Sequence, residues 1–208
     1  MIGSRDALLL GSIARLLRDP ALTWQVMNGV GFLRTSIRRS ADEMHSIELW
    51  HPSLRAPDME DSGMLHALPF DFEQVVLLGA VHDTEIVSLV PTNDATDAYQ
   101  IHEVGPTMAV TELPERYQLV TSKHTYQAGA IFRYQRGKFR QAEVRALTVT
   151  VCSECGDLRG GGRVLARVDH KPVHISDGWG NDRFHLARAL REEAATLLLD
   201  RARQWTFQ

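Results

Sequence analysis

Cys152-Ser-Glu-Cys155, followed by His170-Lys-Pro-Val-His174, has the ligand order of a Cys2His2 zinc site. Tetrahedral zinc accepts two thiolates and two imidazoles, and Cys-x2-Cys suits a zinc knuckle. The spacer departs from that of a zinc finger: it holds Gly160-Gly161-Gly162 and a strand pattern, and Pro172 keeps the histidines off one helical turn. Two reduced cysteines at a strand end are the competing reading. A redox pair would open a helix, whereas Gly156 and Asp157 follow here. A second group is basic: Arg133, Arg136, Lys138, Arg140 and Arg145 interleave with Phe132, Tyr134 and Phe139. A guanidinium fork there can hold a carboxylate or phosphate at two points. The alternative is a solvated strand face paired with Glu112, Glu115 or Glu143. In the run Phe70-Asp-Phe-Glu73, alternation puts Asp71 and Glu73 on one face and the phenylalanines on the other. Facing inward, both carboxylates need a partner or a metal; facing outward, they are solvated.

These residues must be positioned by a mostly β chain. From Arg5 to Met27, the leucines and Ile13 recur at helical spacing up to a break at Pro20, which predicts a helical lead-in over residues 1–27. Two short strands follow, around Phe32–Ile37 and Ile47–Trp50. Between Phe70 and Thr150, short apolar runs alternate with polar or Gly/Pro turns, the pattern of a sandwich or barrel. His82-Asp-Thr84 reads as one of those turns. A further strand is predicted at Val164–Val168. From Asn181 to Trp205, Phe184, Leu186, Leu190, Leu197 and Leu198 form a broad apolar face that Asn181 or Asp182 would cap, which predicts a helix over 181–205. With no repeat and no linker, residues 1–208 read as one domain with its barrel at 28–176.

Two stretches resemble the cupin superfamily. His66-Ala-Leu-Pro-Phe-Asp-Phe-Glu73, with Gly79 six residues on, resembles the first cupin motif, His-x-His followed by Glu and Gly. Tyr126-Gln-Ala-Gly129-Ala-Ile-Phe132-Arg-Tyr134, continuing to Phe139-Arg140, resembles the second, in which a strand delivers another histidine. Asn28-Gly-Val-Gly-Phe32 and Ile47-Glu-Leu-Trp50 resemble the lead-in of cysteine-dioxygenase-like cupins. The similarity covers about Met27 to Val151.

The resemblance implies a jelly-roll barrel flanked by N- and C-terminal helices. It also implies a non-haem Fe(II) or other divalent metal held by His66 and Glu73, in an oxygenase acting on a small polar or amino-acid-like molecule. Arg140, Arg133 and Tyr134 would then orient an anionic substrate group in the catalytic site. The ligand set departs from the family pattern: Leu68 stands where a second histidine belongs, and Phe132 and Arg140 where a third does. Arginine offers no lone pair to a metal. One alternative is a rearranged set that adds His82, His102 or His124. The other is a metal-free cupin that binds a ligand, or serves as a partner subunit in a homo- or hetero-dimer.

The chain has 208 residues, 44% of them hydrophobic and 24% charged, with a formal net charge of −3, so disordered and fibrous classes are excluded. Twenty-three basic against 26 acidic residues give no electrostatic footprint for nucleic acid or an anionic membrane. No apolar run approaches a membrane span, and two cysteines cannot form a secreted disulfide framework. A cytoplasmic protein with a small-molecule ligand is expected.

Overall fold

The computed structural model describes residues 4–27, 31–38, 40, 43–54, 65–94, 96–104, 110–156, 162–168 and 181–206. Helix α1 (Ser4–Arg18) forms where Leu10, Ile13, Ala14 and Leu17 fall one turn apart, and all four are buried. It stops before Asp19-Pro20, because the residue preceding a proline is pushed out of helical geometry. The helical lead-in expected through Met27 is therefore shorter, and its last residues form strand β1 (Gln25–Met27). Helix α2 (Asn181–Thr206) buries Ala187, Leu190, Ala194 and Leu198 in the same apolar cluster as α1. Arg191 of α2 donates to the Leu17 carbonyl at 2.8 Å, which satisfies an acceptor left open at the end of α1.

Under the helices lies a six-stranded antiparallel sheet in the order β1, β2 (Phe32–Arg38), β3 (Glu43–Trp50), β11 (Thr148–Cys155), β5 (Asp71–Leu78), β9 (Ile131–Tyr134). Alternation divides each strand between two faces. Leu33, Ile47, Leu49, Leu77 and Val149 pack against the helices. Their neighbours Arg34, Glu48, Gln74 and Thr150 turn to the other side, where they bond to one another or to residues beside them.

The second β unit is a closed ring in the order β10 (Phe139–Glu143), β4 (Leu65–Ala67), β12 (Gly162–Arg167), β7 (Tyr99–Val104), β8 (Val110–Gln127), β6 (Ala80–Pro91). Its interior is apolar, built on Leu65, Ala67, Ile86, Ile101, Phe139 and Leu165. Ile86 and Leu89 both join this core although they stand three positions apart, because a bulge between Ile86 and Ser88 reverses the alternation of β6. The turn from β5 into β6 falls at Gly79, with φ at 75°, where an added Cβ would meet the Leu147 carbonyl at 2.7 Å. His82-Asp-Thr84, read from the sequence as a turn, lies inside β6, since Gly79 reverses the chain three residues earlier. The mainly β barrel flanked by two helices is the fold class the sequence indicated.

Candidate functional site

Between the inner face of the sheet and the outer face of the ring lies a layer that is both aromatic and charged. Strand β9 contributes Phe132 and Tyr134, β5 contributes Phe72, and the ring contributes Arg140 from β10 and Asp83 from β6. Arg140 is 8% exposed and Asp83 2%. Arg140 Nε lies 3.1 Å from Asp83 Oδ1, and the Tyr134 hydroxyl donates to Asp83 Oδ2. The Arg140 guanidinium carbon sits 3.6 Å from the Tyr134 ring centre and 5.0 Å from that of Phe72, so the cation stacks on the faces of both rings. Arg140 Nη1 is buried without a hydrogen-bond partner among the described residues. Burial pushes the Asp83 carboxyl above the usual carboxylate range, while Arg140 and the Tyr134 hydroxyl pull it back down.

A second polar group lies on the inner face of the sheet. Gln74 donates from Nε2 to Glu48 Oε2 at 2.8 Å and to Thr150 Oγ1 at 2.7 Å, and Trp50 Nε1 donates to Thr150 Oγ1 at 3.1 Å. Arg34 reaches Ser46 at 3.0 Å, pairs with Glu154, and holds its Nε 3.8 Å from Glu48 Oε1. Burial raises the Glu48 carboxyl, and the positive charges of Arg34 and, more weakly, Arg140 oppose that rise.

Of the basic and aromatic residues singled out in the sequence, the structure brings Arg140 and Tyr134 together and leaves Arg133 apart. Arg133 alternates outward on β9, with its side chain 82% exposed, and pairs with Glu73 directly across from it on β5. Glu73 therefore occupies the outer face of its strand, and Gln74 takes the inward position. His66 lies on β4 opposite Arg140, on the same face of the ring, and burial pushes its imidazole down to about 4. His66 and Glu73 thus belong to different layers and do not converge on one centre. His82 bonds to Thr125 at 3.1 Å, His124 is exposed beside Ser122, and His102 is buried on β7. None of them completes a set with His66: among the described residues, the potential metal-ligand group of three or more is Glu48, Cys152 and Glu154.

The zinc arrangement read from the cysteines meets a geometric obstacle. Cys152 and Cys155 stand three apart on the continuous strand β11, so their side chains point to opposite faces, Cys152 buried and Cys155 exposed. A knuckle needs a turn between them. His170 and His174 lie outside the described residues. Asp83, Glu48, Gln74, Thr150 and Trp50 were not singled out in the sequence. For Glu48 and Thr150 the signal is a polar residue alternating with apolar ones along the strand, as in Ile47-Glu-Leu49 and Val149-Thr-Val151.

A cavity of about 610 Å³ opens on the ring at β6 and β10, and Arg140 is not among its lining residues. Glu85, the cross-strand neighbour of Arg140, lines it together with Ser122, His124, Lys138, Phe139 and Arg163. Lys138 pairs with Glu85 at 2.9 Å, and the Arg163 guanidinium carbon lies 5.5 Å from the Phe139 ring centre.

No protein-family model matches the chain, and no curated protein does. Solved structures with a similar layout include cupins. An RmlC-like cupin from Shewanella frigidimarina is 9% identical with a TM-score of 0.34, over 65% of this chain and 85% of that one. The Cnp3 cupin domain of Schizosaccharomyces pombe is 7% identical with a TM-score of 0.38, over 66% of this chain and 71% of that one. The Fe(II) form of HppE is 8% identical with a TM-score of 0.41; the match takes in 64% of this chain and spans 56% of HppE.

Proposed function

We propose that the protein is a cupin-type binding barrel that holds the carboxylate or phosphate of a small anionic molecule on Arg140. The observation that carries this reading is the buried Arg140 Nη1, which has no hydrogen-bond partner among the described residues, while Nε lies 3.1 Å from Asp83 Oδ1 and the guanidinium stacks on Tyr134. A buried donor left unmade costs about 1–3 kcal/mol, more when charged, and a ligand oxygen would remove that cost. Asp83 and the faces of Phe72 and Tyr134, on which the guanidinium stacks, hold the fork in one orientation for the ligand oxygen.

A metal-dependent oxygenase built on His66 and Glu73 does not fit this arrangement, because Glu73 pairs with Arg133 on the outer face of the sheet. No step is therefore assigned to a metal at those two residues. Calorimetric titration with benzoate and with inorganic phosphate tests the proposal and separates the two anion classes. One-site binding of either probe, weakened at least about tenfold in folded Arg140→Lys, is expected, because lysine keeps the charge but loses the fork. Equal affinity in the wild type and the variant, or no binding of either probe, would overturn it.

A further inference from the structure

The inner face of the sheet carries more acid than its own cation can match. Glu48 and Glu154 both reach the Arg34 guanidinium, while Arg140 is committed to Asp83. Glu154 is 3% exposed, yet its Oε2 has no hydrogen-bond partner among the described residues. The Cys152 sulfur stands in the same place: ligand atoms of Glu48, Cys152 and Glu154 all lie within 4.8 Å of one another, and all three residues are buried. Alternation explains the convergence. Cys152 and Glu154 are two apart on β11 and share its inner face, and β3 runs antiparallel beside them carrying Glu48. The Glu48 carboxylate is held in orientation by Gln74 at 2.8 Å and by Thr150 at 3.2 Å. Such supporting bonds aim a metal-binding carboxylate and are worth about 10–100-fold in affinity.

We propose that Glu48, Cys152 and Glu154 form a binding site for a thiophilic divalent cation of the zinc and cobalt class. Two carboxylates and a thiolate balance such a cation together with the Arg34 guanidinium, so the buried group becomes neutral. One sulfur and two oxygens leave a fourth tetrahedral position open and suit zinc or cobalt(II) better than magnesium or calcium, which take all-oxygen shells of higher coordination number. The site uses neither His66, Glu73 nor Arg140, so it stands or falls independently of the anion-binding reading.

Cobalt(II) titration of the whole protein tests it, because a thiolate bound to cobalt gives a near-ultraviolet charge-transfer band. The expected result is a band that saturates at one equivalent, is displaced by zinc and is untouched by magnesium. Cys152→Ser should abolish it and Cys155→Ser should leave it intact. Glu154→Gln should weaken cobalt binding about tenfold or more, with circular dichroism showing that each variant is folded. No band in folded wild type at millimolar cobalt would overturn the proposal and leave a proton as the carrier of the balancing charge. A band lost in Cys155→Ser but kept in Cys152→Ser would overturn it as well.

Discussion

The ring interior and the layer between ring and sheet share strands β6 and β10 but are built to opposite ends. Inside the ring, Leu65, Ile86, Ile101, Phe139 and Leu165 form an apolar core that asks nothing of its residues beyond volume. One residue away along β10, Arg140 turns to the other face and enters a layer holding Asp83, Tyr134, Glu48 and Gln74. Burying charge is expensive, and apolar residues of similar size would stabilise the barrel as well or better. The layer keeps ionic groups where the ring interior keeps apolar ones, and the proposed anion and cation sites give those groups a use. Arg140 Nη1 and Glu154 Oε2, both buried without a hydrogen-bond partner among the described residues, are the atoms on which those two proposals rest.

The comparison breaks most visibly at Arg140. Arg140→Leu leaves Asp83 buried without its cation and should cost about 3–5 kcal/mol in urea unfolding. Adding Asp83→Leu to that variant should recover most of the loss while leaving anion binding abolished. If the double variant stays as unstable as the single one, the ion pair is structural and the contrast between compartments fails. Leu165→Ala, in the ring core, should cost about 2–5 kcal/mol and leave the affinity for benzoate or phosphate unchanged. A parallel loss of affinity would mean that the two compartments are not independent.

The pH dependence sharpens the contrast from the ring side. His66 has its imidazole lowered from 6.5 to about 4, so the unfolded chain takes up a proton before the native one does. Stability should therefore be flat above about pH 6.5 and fall as pH drops toward about 4, by at most about 3 kcal/mol from this residue. Denaturation curves of His66→Phe should lack that part of the slope. Glu73→Gln, on the outer face, should change stability by less than about 1 kcal/mol and leave ligand and cobalt binding as they were.

The strand pattern and both helices were legible in the sequence, because periodicity is a local property, and Arg140 stood out there by its residue type as one of two readings. Which face of β5 turns inward was not. Alternation shows that Asp71 and Glu73 share a face, but the choice between Glu73 and Gln74 as the inward residue is made elsewhere. It follows from the pairing of β5 with β11 and β9 and from the helices that cover Val75 and Leu77. Asp83 was hidden for a related reason: polar neighbours made its stretch look like a turn, although Gly79 already supplies the reversal. The Glu48, Cys152 and Glu154 group joins residues about a hundred positions apart, so no spacing rule reaches it.

Crystals of the protein grown with 4-bromobenzoate give the most direct test of the central claim, since the anomalous signal of bromine locates the ligand without ambiguity. The expected result is a bromine peak in the layer between ring and sheet, with the carboxylate within hydrogen-bond distance of Arg140 Nη1. Peaks confined to the outer surface, with the Arg140 and Tyr134 layer unchanged, would contradict it.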